Sequence, residues 1–159
     1  MLKLRKNKKG FTLVELIVVI AIMAVLAGTV AGVTVSQLNK QTDTANKNQA
    51  KKIADTIYAE LVEDSAITSE NMIKELKSAY GSIIKTGAEN DTATKGKEFT
   101  VTYTEATTGA NNAVATYAYY TVAYEGKSGS KGNVSYFISA ENGVQTSAAA
   151  AKTVPTTGA

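Results

Sequence analysis

A chain of 159 residues with no cysteine and no histidine can form no disulfide, no Cys/His zinc site and none of the histidine-based catalytic arrangements. Its formal charge of +3 is a property of the first nine residues, where Lys3, Arg5, Lys6, Lys8 and Lys9 lie. The other 12 basic residues face 14 acidic ones, so the remainder is near −2. The basic balance thus gives little reason to expect a nucleic-acid partner.

From Phe11 to Val35 only Glu15 is charged. As a helix these residues extend about 37 Å, enough to cross a bilayer with some tilt. The basic residues precede the apolar run, which puts the N-terminus on the cytoplasmic side and the bulk of the chain outside, with one crossing. An acid inside such a run costs on the order of a few kcal/mol, which makes Glu15 a functional candidate. One reading leaves Glu15 shallow, with its head at the interface. The other gives it a cation: a cut after Gly10 would create a new α-amino group on Phe11, four residues away, in the same subunit or a neighbour. An ordinary secretory signal, cut near Thr29-Val30-Ala31, is the rival. It is disfavoured by the length of the run and by the acid at its start.

The stretch Lys8-Lys9-Gly10-Phe11-Thr12-Leu13-Val14-Glu15, followed by this apolar run, resembles the class III signal of type IV pilin precursors. The resemblance is tight over residues 8–35 and extends in general architecture to the rest. It implies a leader of residues 1–10, removed by a prepilin peptidase between Gly10 and Phe11, and N-methylation of Phe11. It further implies an assembly role for Glu15 and Phe11, an assembly platform with its ATPase, and homo-oligomerisation into a helical filament that other minor pilins can join. The subunit would wait in the cytoplasmic membrane and end in an extracellular filament serving adhesion, motility or aggregation. A pseudopilin of a type II secretion or competence system shares all these N-terminal features. A membrane-tethered binding module that never polymerises is the alternative of a different class. No enzyme activity and no cofactor are expected. Many Gram-negative pilins carry a disulfide near the C-terminus, so the lack of cysteine leans toward a Gram-positive source.

Along the helix, Ala24, Gly28 and Gly32 recur every fourth residue. Such a face suits close helix packing, and its glycines also weaken the helix locally, by about 1 kcal/mol each relative to alanine. Residues 36–52 turn polar, with Leu38 the one large apolar side chain before Ile53. The apolar stripe Ile53, Ala54, Ile57, Tyr58, Leu61 and Val62 then returns at helical spacing. One continuous helix from Phe11 to residue 65 is expected, residues 11–35 as anchor and filament core and 36–65 as its amphipathic half.

A globular α+β head over residues 66–147 follows, its three or four antiparallel strands packed on the long helix. Ser69 is the expected N-cap of a second helix over Glu70–Ala79, with Met72, Ile73, Leu76 and Tyr80 on one side. Residues 81–97 read as a loop with a short strand at Ile83–Ile84. Glu89-Asn90-Asp91 is expected to be a solvated turn, with calcium the lesser reading. Period-two alternation predicts strands from Phe99 to Thr104, Val114 to Tyr124 and Val134 to Ala140, with Val144–Ser147 pairing back after the Glu141-Asn142-Gly143 turn. Thr107 to Asn112 supplies a turn. Tyr117, Tyr119, Tyr120, Tyr124 and Tyr136 are expected to pack on the sheet faces. Lys127 and Lys131, in the glycine-rich loop Glu125–Asn133, are expected on a solvated hairpin. The tail, residues 148–159, is expected to be frayed or draped.

Overall fold

The structure, a computed structural model, describes residues 10–88, 90–109 and 114–154. Residues 1–9, Glu89, the end of the Thr107–Asn112 turn and the tail from Pro155 lie outside the described residues. Two compact units divide the chain, Met1–Leu38 and Asn39–Ala159.

Helix α1 runs from Leu13 to Glu63, 51 residues without interruption. No proline or internal glycine after Gly32 opposes it, in keeping with the expected single helix. It stops where Asp64 takes over the local hydrogen bonding: its side chain accepts from the Ala66 N–H at 2.9 Å and its carbonyl from the Ile67 N–H. Helix α2, Ser69–Tyr80, begins one residue earlier than expected. Its cap is Thr68, whose hydroxyl accepts from the Asn71 N–H, and Gly81 ends it at φ +71°.

The head is α+β, with more strands than the three or four expected. β1 (Ile84–Lys85), β2 (Phe99–Thr104), β5 (Tyr119–Tyr124), β6 (Val134–Ser139) and β7 (Gly143–Gln145) form one sheet in the order β1-β2-β5-β6-β7. All pairings are antiparallel except β1 with β2, which is parallel. The single long strand expected from Val114 to Tyr124 is broken at Tyr117-Ala118. Its first part, β4 (Val114–Thr116), leaves the main sheet and pairs with β3 (Thr107–Thr108).

Alternation along β2 and β5 turns Phe99, Val101, Tyr120, Val122 and Tyr124 inward, where they form one buried cluster with Ala50, Ile53, Ala54, Ile57 and Leu61 of α1. Met72 and Leu76 of α2 close the same core, with Tyr80 half-buried at its margin. Two tyrosines add ring contacts: Tyr124 meets Phe99 at 5.5 Å between centroids, and Tyr120 meets Tyr103 at 4.9 Å. Of the five strand tyrosines considered, Tyr120 and Tyr124 are core and the other three are half-buried.

Of the tail expected to be frayed or draped, the described part, residues 148–154, is folded and held. α3, Ala148–Lys152, buries Ala151, whose carbonyl accepts from the Ser139 hydroxyl and the Asn142 side-chain amide, both at 2.8 Å. The Asn142 amide also reaches the Thr153 carbonyl, and the Tyr117 N–H donates to Lys152. Ser139 and Asn142 of the β6–β7 turn thus hold α3 where alanine side chains alone would offer little area to bury.

Candidate functional site: a capped apolar helix and a clasped carboxylate

Thr12 and Glu15 build the start of α1 together. The Glu15 N–H donates to the Thr12 hydroxyl oxygen at 3.2 Å, and Glu15 Oε2 accepts from the Thr12 N–H and the Thr12 hydroxyl, both at 2.8 Å. This is a capping box, a reciprocal bond pair that satisfies donors left over at a helix N-terminus. Thr-x-x-Glu ahead of an apolar run is its sequence signature, a signal that the charge reading of Glu15 overlooked. Both bonds fall on Oε2, and no partner is found for Oε1 among the described residues. Gly10 and Phe11 lie just before the cap; Phe11 is 90% exposed, and nothing lies within 4 Å of a Cβ built on Gly10. Joined to Gly10, Phe11 carries a peptide N–H, and Glu15 faces Thr12.

Beyond the cap, every large apolar side chain from Leu13 to Val35 is at least 46% exposed. By length and composition the helix can cross a membrane. The hydroxyls of Thr29 and Thr34 are turned back onto the Leu26 and Val30 carbonyls, at 2.9 and 2.8 Å, so that neither presents a free donor to an apolar medium. Ala24, Gly28 and Gly32 are exposed, and a Cβ at either glycine would meet open space. Nothing in the single subunit therefore requires those glycines.

In the head, the polar run 36–52 contains a buried charge. Asp43 is 3% exposed. Its Oδ1 accepts from the Tyr124 hydroxyl at 2.8 Å and the Lys127 N–H at 2.9 Å, and its Oδ2 from the Ser128 N–H at 2.8 Å. Burial by itself would raise this carboxyl; bonds from Ser128, Lys127 and Tyr124 outweigh it and hold Asp43 well below the usual carboxylate range. Gly126 and Gly132 let the loop close: a Cβ on Gly126 would stand 2.5 Å from the Gly132 Cα, and one on Gly132 would stand 2.6 Å from Asp43 Oδ2. The Asn133 side chain accepts from the Gly126 N–H, and the Asn46 amide donates to the Tyr124 hydroxyl at 3.0 Å. The loop expected as a solvated hairpin is therefore wrapped around a carboxylate of α1. Of its two lysines, Lys127 contributes its backbone N–H. Lys131 accepts at its carbonyl from Lys47 Nζ at 2.6 Å.

Asp91 likewise departs from the expected solvated turn. Its Oδ2 receives Lys77 Nζ at 2.9 Å and the Thr86 N–H and hydroxyl at 3.0 Å, while Lys85 Nζ stands 3.5 Å from Oδ1. Lys77, followed by the two Thr86 donors, keeps the Asp91 carboxyl low. Two lysines occupy the place that the lesser reading gave to calcium. Among the described residues no group of three or more potential ligands could hold a metal.

Residues 5–31 match the family model described as the prokaryotic N-terminal methylation motif. Neither a curated protein nor a solved structure matches the chain. With the long apolar helix that begins inside the motif, the match fits a type IV pilin-like precursor, pilin or pseudopilin. That class is structural rather than enzymatic, associates with the membrane through its apolar N-terminal helix and assembles into pilus-type filaments.

Proposed function

We propose that this chain is the structural subunit of a type IV pilus. A prepilin peptidase cuts between Gly10 and Phe11, Phe11 is N-methylated, and residues 11–35 serve first as membrane anchor and then as filament core. Residues 36–65 carry the head, residues 66–147, with 148–159 as its tail. The observation that carries this reading is the exposed, uncharged helix face from Leu16 to Val35, headed by a lone carboxylate inside a methylation motif. So large an exposed apolar surface calls for lipid or for other helices. The free Oε1 of Glu15 can receive the Phe11 amine of an adjacent subunit while Oε2 keeps the cap, which favours docking in register. Ala24, Gly28 and Gly32 let helices approach closely in the core. The platform and its ATPase extract the subunit from the membrane into an extracellular fibre.

Mass spectrometry of the N-terminus of protein sheared from cells tests this directly. A peptide beginning at methylated Phe11 is the expected result. A start near Gly32 would mean ordinary secretion and would remove the role assigned to Glu15. Processed chain that never appears in sheared material would point to a pseudopilin or a tethered module instead.

A further inference from the structure

Charge in the head is separated between two clefts. In one, of about 360 Å³, Lys40 and Lys47 of α1 meet Lys131 of the loop around Asp43. The Asp43 charge there is buried and used up by its three donors. The other, of about 260 Å³, lies between α1 and α2, with Met72 and Leu76 in its floor and Glu60 and Glu75 at its rim. An adjoining cleft that shares Glu75 adds Asp64 and Lys74, and Lys77 is spent on Asp91. Among the described residues Glu60 and Glu75 make no ion pair, nor do Lys40 and Lys131. The nearby Lys51 is paired with Asp55.

The placement of the two clefts matters as much as their sign. Lys40 and Glu60 are 20 residues apart on α1, which is about 30 Å along the axis and about 160° around it. Patches on opposite flanks cannot both face one partner in a two-fold pair. A head-to-tail contact satisfies one flank at each addition and leaves the opposite one open, which builds an open filament or a ring and not a two-fold dimer.

We propose that a second copy of this chain seats its Lys40–Lys131 flank in the Glu60–Glu75 cleft, the lysine stems along Thr56 and Ala79 and their heads at the carboxylates. The heads thereby select register and direction of growth. This rests on the filament reading above and assigns the head a share in assembly beside that of α1. Lysine suits the site because its stem is apolar and its tip is charged.

The test uses the full chain in cells. Lys40→Glu with Lys131→Glu should lower the yield of sheared filaments about tenfold, Glu60→Lys with Glu75→Lys should do the same, and all four together should return it to within about twofold. Normal yield from either double variant, or a quadruple variant as poor as the doubles, overturns the proposal. A second measurement is independent of yield. The chain has no cysteine, so Lys40→Cys with Glu75→Cys and a short bismaleimide should give a ladder of covalent multimers, absent from either single variant. Methylated filaments without a ladder overturn the head contact and leave the pilus reading standing. If no methylated chain is sheared, the pilus reading fails, and the same cross-linking on membranes decides the contact: a ladder supports it, none overturns it.

Discussion

Asp43 shows what one side chain contributes and why it could not be read in advance. It sits among Gln, Asn, Lys and Thr in a run that looks solvated, and its partners Lys127 and Ser128 come 84 and 85 residues later in the chain. Asp43→Asn puts an amide where two N–H groups and a hydroxyl point, and should cost about 2–3 kcal/mol in urea unfolding of the detergent-solubilised chain. The folded-state value lies below the ordinary one of about 4, so the stabilisation is present above pH 4 and is lost as pH falls through the lowered value. The variant should show a flatter loss of stability below about pH 5. Glu15, by contrast, was legible as a lone acid in an apolar run, while its bond to Thr12 followed from a spacing read too narrowly as charge. The two roles can be separated. Thr12→Ala removes the cap, at about 1 kcal/mol of helix stability, and should leave filaments. Glu15→Ala should leave processing intact and abolish filaments, as seen by mass spectrometry and electron microscopy of sheared material. Equal filament yield from the two variants would reduce Glu15 to a cap.

At the scale of elements, the helices could be read and the sheet only in part. α1 announces itself by 25 residues with one charge and then an apolar stripe at helical spacing; α2 by its Thr68-Ser69 start and Gly81 stop. The break between β4 and β5 has no such signal, because Tyr117 and Ala118 are as acceptable in a strand as their neighbours. What ends the strand is tertiary: the Tyr117 N–H is taken by the Lys152 carbonyl, and Thr116 bridges Thr153. β1 is two residues long, too short to alternate. The fold of α3 was equally hidden, since four alanines carry no amphipathic pattern. Its attachment predicts that Asn142→Ala, losing two bonds to the Ala151 and Thr153 carbonyls, lowers the stability of the head by about 1–2 kcal/mol in urea unfolding. Gly126→Ala should be worse than an ordinary surface change, because its Cβ meets backbone and the loop must open away from Asp43.

Over the whole molecule the family match is confined to residues 5–31, and the head has to be argued from physics. Composition carried the absence of cysteine and the misleading net charge; it could not carry the segregation of charge, which depends on α2 folding back beside Glu60 and on the loop bringing Lys131 to Lys40. That segregation has a measurable correlate. Raising ionic strength from about 0.1 to 1 M shortens the screening length from about 10 to 3 Å. Sheared filaments should then melt at lower temperature in scanning calorimetry, and the Lys40→Glu, Lys131→Glu material should change less than the unaltered protein. An apolar contact alone would not weaken with salt.

Among the described residues Asp43 is also the first buried one met along the chain. Any tension carried by α1 therefore enters the head at a carboxylate gripped by three donors, two of them backbone groups of one loop. That clasp lies ahead of the apolar contacts of Ala50 and Ile53, so tension along α1 would meet it before them. The wrapped loop works as a strain relief, of the kind fitted where a cable enters its housing.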